Sequence, residues 1–84
     1  MNKATFNEIV NDGLNRGREF LLVKIMEPEA VNPMVTVIHK DMVKKKVSEY
    51  MKATDNDLVF KNTGNKIEDV LATSNLNELK WFVY

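Results

Sequence analysis

The chain has no cysteine, one histidine (His39), one tryptophan (Trp81), two prolines and three glycines among 84 residues. Without cysteine there is no disulfide framework, no thiolate nucleophile, no iron–sulfur cluster and no zinc site of the cysteine type, which makes a reducing cytoplasm the expected compartment. Long hydrophobic runs are missing too. Phe20-Leu21-Leu22-Val23 ends at Lys24, far short of the ~20 apolar residues that cross a bilayer. Met1 to Thr5 carry one positive charge and lead into an amphipathic pattern instead of an apolar signal segment, so export is not expected. Net charge is absent as well. Twelve basic residues balance twelve acidic ones, which excludes a globally basic nucleic-acid binder and a globally acidic DNA mimic.

What is present is an ordinary globular balance, 44% hydrophobic and 29% charged, which argues against disorder and low-complexity polymers. The length supports one domain, and a chain this short buries only ~60% of its unfolded surface, so stability is modest. Thr5-Phe6-Asn7-Glu8 fits a capping box, and Phe6, Ile9, Val10 and Leu14 follow at helical spacing up to Gly17, predicting a helix over about 5–16. Phe20 to Met26 reads as a strand with two mostly apolar faces, Leu21, Val23 and Ile25 on one and Phe20, Leu22, Lys24 and Met26 on the other. The proline-bounded segment 27–33 then turns the chain into a second strand, Met34 to Ile38, making a hairpin; alternatively, Val31 extends that strand and Pro33 marks a bulge or an edge.

From Asp41 the period becomes helical, with Val43, Val47 and Tyr50 or Met51 inward, giving a second helix over about 41–53 with Asp41 as N-cap. Leu58-Val59-Phe60 is expected as a short third strand. Asn62 to Asn65 is turn chemistry, and Ile67, Val70 and Leu71 fit one face of a short helix better than strand alternation. Ser74 to Leu79 suits a further helical turn, and Lys80 to Tyr84 suits a closing strand. The result is an α+β domain, an antiparallel sheet of about four strands with two or three helices packed on one face.

The catalytic inventory is thin. Ser48 and Ser74 are the only serines beside His39, and no spacing supports a Ser–His–acid arrangement. Asp55-Asn56-Asp57 begins like a calcium loop, but Val59 and Phe60 hold the fifth and sixth positions and Lys66 the twelfth, so glycine and bidentate glutamate are missing. Asn62 to Lys66 lacks the second glycine and the Lys-Ser/Thr pair of a phosphate loop. Glu68 and Asp69 are helix neighbours that point apart. No enzyme activity, cofactor or metal is therefore expected.

Two asymmetries remain. Residues 39–52 hold Lys40, Lys44, Lys45, Lys46 and Lys52 against Asp41 and Glu49, a +3 segment in a neutral chain. Such a helix can grip phosphates or an acidic protein surface, or serve only as a solvated face; the lack of arginine on it disfavours base readout. At the C-terminus, a strand would put Trp81 and Val83 on one side and Phe82 and Tyr84 on the other. That strand either lies central in the sheet, or presents an interface with Phe20 and Leu22 to a second copy or a partner.

Taken together, the capped helix, Phe20 to Ile25, the proline-bounded hairpin, the lysine-rich helix ending near Tyr50 and the Trp81 segment resemble the small accessory proteins of phages and prophages of Gram-positive bacteria. That resemblance implies a stand-alone protein that binds and modulates a host protein in the host cytoplasm. Homodimerisation and binding to a nucleic-acid backbone are further expectations, and a membrane partner is not.

Overall fold

The computed structural model describes residues 1–83 and is an α+β domain. α1 spans Lys3–Asn15, and its N-cap is Asn2, whose side chain accepts the Thr5 amide at 2.9 Å; the helix thus starts two residues before the expected Thr5 box. It ends in a Schellman motif. The Gly17 amide donates to the Leu14 carbonyl and the Arg18 amide to that of Gly13, with Gly17 at φ 69°.

Three antiparallel strands follow: β1 Phe20–Met26, β2 Met34–His39 and β3 Lys66–Thr73, in the order β2-β1-β3. Between β2 and β3 runs α2, Lys40–Ala53. Its N-cap is His39, whose Nδ1 accepts the Asp41 amide, so Asp41 lies in the first turn instead of at the cap. At its other end the Lys3 ammonium donates to the carbonyls of Met51 and Thr54, both at 2.9 Å, pinning α1 to the negative end of α2.

The sheet has three strands where about four were expected, and the differences have physical causes. Residues 66–73 form β3 instead of a helix. Ile25 pairs with Ile67 but Lys24 with Asp69, so Glu68 is an extra residue in a bulge. The bulge resets the alternation and puts Ile67 and Val70, three apart, on the same buried face, which in sequence imitates a helical stripe. Leu58 to Phe60 make only isolated bridges, Thr54 to Phe60 and Val59 to Lys66. The chain end is helical: a 3-10 turn at Leu76–Glu78, capped by Asn75, leads into α3, Leu79–Phe82.

α1 and α2 cover one face of the sheet. There Phe6, Val10, Val43 and Val47 pack on Leu21, Val23, Ile25, Ile38, Ile67 and Val70, each fully buried side chain contributing about 1.5–3 kcal/mol. Gly13 is what lets α1 sit this low. A Cβ there would overlap the methyl of Ala72 on β3. The second face carries Leu22, which is fully buried yet outside that cluster. α3 lies on the same side, since Lys24 is on this face and its Nζ stands 4.9 Å over the Phe82 ring.

Candidate functional site

The sequence-derived candidates fall on three parts of the fold. Of the lysines on α2, Lys45 and Lys52 stand opposite the buried Val43 and Val47, with the others on its flanks and first turn. Lys40, Lys44, Lys45 and Lys52 are exposed, whereas Lys46 pairs with Glu49 at 3.6 Å. At 100° per residue, Lys44 and Lys46 stand on opposite flanks and Asp41 and Glu49 intervene, so the five ammonium groups spread over a broad face instead of converging. His39 stands at the end of β2, its ring edge-on to Phe20 at 5.7 Å. Ser74 accepts the Glu19 amide at the end of β3, with β1 between it and His39. Among the described residues no three His, Asp or Glu side chains gather as a metal site.

The apolar candidates divide differently. Leu22 offers no surface, being fully buried, and Phe20 and Phe82 are half-buried. Trp81 points outward from α3 and is 75% exposed, with Lys80 Nζ 5.5 Å from its ring. The two-faced closing strand is therefore replaced by a helical turn that turns Phe82 inward and Trp81 out. Tyr84 lies outside the described residues.

Sequence reasoning missed a third group. Met34 and Val37 on β2 and Met42 on α2 are 48%, 42% and 42% exposed, and all three sit along the open side of the sheet. Their types gave no warning, because an apolar strand reads the same in a sheet's centre as at its edge; only strand order separates the two.

Two side chains are electrostatically set by the fold. Burial pushes the Tyr50 hydroxyl above its ordinary value, opposed by its hydrogen bond with Thr36. The Asp55 carboxylate accepts the amides of Val59 and Asp57, which lower its pKa, with Lys3 and Lys61 adding to the effect. Both serve the packing of α2 and the 54–60 turn.

Among the described residues, no helix is long and apolar enough to cross a membrane. Compared with protein-family models, curated proteins and solved structures, the chain matches none.

Proposed function

We propose that this is a non-enzymatic protein-binding module acting in the cytoplasm, as a phage or prophage protein that inhibits or modulates a host protein. The observation that carries the reading is Trp81: a large amphipathic ring, three-quarters exposed, held on a short helix that Phe82 fastens to the sheet. Exposing so much aromatic surface costs solubility unless a partner covers it, and tryptophan is enriched among the residues that dominate binding energy. The test is affinity purification from a bacterial lysate with the parent chain and with Trp81→Ala. A protein retained by the parent and lost with the variant is the expected result; the same proteins on both, or none above control, contradicts it.

The second reading is binding to a nucleic-acid backbone through α2. It is favoured by the exposure of Lys40, Lys44, Lys45 and Lys52, none of which forms an ion pair among the described residues. Contacts from n lysines give a logarithmic salt slope near −0.9n on duplex DNA. Replacing Lys44, Lys45 and Lys46 by glutamine abolishes such binding while leaving the fold intact, since none belongs to the core; an unchanged gel shift removes the reading.

A further inference from the structure

β2 has β1 on one side and no strand on the other. The direction of its free backbone groups follows from one bond: the Lys40 amide donates to the Glu19 carbonyl at 2.8 Å. Hydrogen-bonded and non-bonded pairs alternate in an antiparallel ladder, and the register continues without a bulge, Phe20 opposite His39 through to Ile25 opposite Met34. Ile38, Thr36 and Met34 therefore bond to β1; Val35 and Val37 direct their amides and carbonyls outward and His39 its amide, the His39 carbonyl being taken up by the first turn of α2, which it caps.

We propose that this edge pairs, antiparallel and in register, with β2 of a second copy, about a two-fold axis at Val37. The axis sets Val37 opposite Val37 of the second copy and Val35 opposite His39, giving about four hydrogen bonds, two between the Val37 residues and two from the His39 amides to the Val35 carbonyls. Val37, 42% exposed in one copy, then packs against its own image. Met34 to Ile38 carry no charge, so the paired strands bring no like charges together, and the devices that protect an edge, an inward lysine, a bulge or a mid-strand proline, are missing from it.

The helices leave room for the pairing. α2 packs over both β1 and β2, so across a strand spacing of ~4.8 Å the two α2 helices come side by side at roughly 10 Å, an ordinary helix–helix distance. The flank of α2 that faces α1 is fixed by Met51, whose sulfur meets the Asn7 side chain. The opposite flank, turned to the second copy, presents exposed Met42 and the mutually neutralised Lys46–Glu49 pair. A six-residue strand is ~20 Å long and the molecule is 18 Å thick, so each copy buries roughly 400 Å² against the ~800 Å² of a standard interface, which makes a reversible, concentration-dependent dimer.

Sedimentation equilibrium tests this from about 10 μM to about 1 mM, where mass action fills a weak dimer. The parent mass should rise from 9.7 kDa toward twice that value. Val37→Pro removes an amide that β1 does not use, and Val37→Lys places an ammonium on the axis while keeping every backbone group; both should remain monomers with the parent's circular dichroism spectrum. Should the proline variant unfold, the lysine variant decides alone. A parent mass fixed at 9.7 kDa, or a Val37→Lys chain that dimerises as readily as the parent, overturns the proposal. So does a parent chain that stays monomeric while taking up a free peptide of residues 34–39, which reassigns the edge to a foreign strand. Trp81→Ala should leave dimerisation unchanged, separating this result from the fate of the Trp81 reading.

Discussion

At its β3 edge the sheet has a bulge at Glu68, the charges of Lys66, Glu68 and Asp69, and the 54–60 turn, whose Leu58 carbonyl takes up the Ile67 amide. At its β2 edge there is an uncharged apolar run with no bulge and with outward backbone groups from Val35 to His39. Both edges border the same central strand and the same core, so the contrast is not one of stability. An edge is dangerous when flat, apolar and unpaired. One side of this small sheet is protected at three points and the other at none. The difference marks β2 as the side on which another strand is received.

The protected β3 edge depends most on Leu58, which is fully buried yet holds φ 62°, a conformation costly for a bulky side chain. Its side chain outweighs its backbone. Leu58→Ala should destabilise by about 2–5 kcal/mol in urea melts and loosen the β3 edge, whereas a loss below ~1 kcal/mol would mean that the turn is not seated in the core. Next in size is Gly13→Ala, expected to cost about 1–3 kcal/mol by forcing α1 away from Ala72, with Ala72→Gly in the same chain restoring part of the loss.

A smaller effect follows from Asp55. Its folded pKa lies below the ordinary 3.8, so its contribution is complete above that value and is lost as pH falls through the lowered one. Acid titration of thermal stability below about pH 4 should be shallower for Asp55→Ala than for the parent. Identical curves would show that the carboxylate does not hold the 54–60 turn. Smallest is Glu29→Gly in the β1–β2 loop, where Glu29 sits at φ 64° after Pro28 in a turn closed by the Ala30 amide on the Glu27 carbonyl. Glycine there should stabilise by up to about 1 kcal/mol, seen as a raised urea midpoint.

How much of this could be read in advance depended on whether a pattern was local. α1, β1, β2 and α2 each carry their own periodicity and stop signals, and all were legible to within two residues. β3 was not, because its bulge breaks the period of two and the resulting Ile67–Val70 spacing imitates a helix. Trp81 to Val83 read as a strand because aromatic and β-branched residues favour one, but the Asn75 cap and the three-residue spacing of Leu76, Leu79 and Phe82 settle the segment as helical turns over Leu22. The lysine face was visible as composition and its spread around α2 required the helix phase. The open edge was signalled only by the alternative that Pro33 marks a bulge or an edge, since strand order is a property of the assembled sheet.

Amide hydrogen exchange resolved by residue tests the account most directly. If β2 receives a second copy, the amides of Val37 and His39 should exchange fast in dilute solution and slow together as concentration rises, while those of Thr36 and Ile38, bonded to β1, stay protected throughout. Exchange at those two amides that is equally fast at every concentration, with Thr36 and Ile38 still protected, would contradict it.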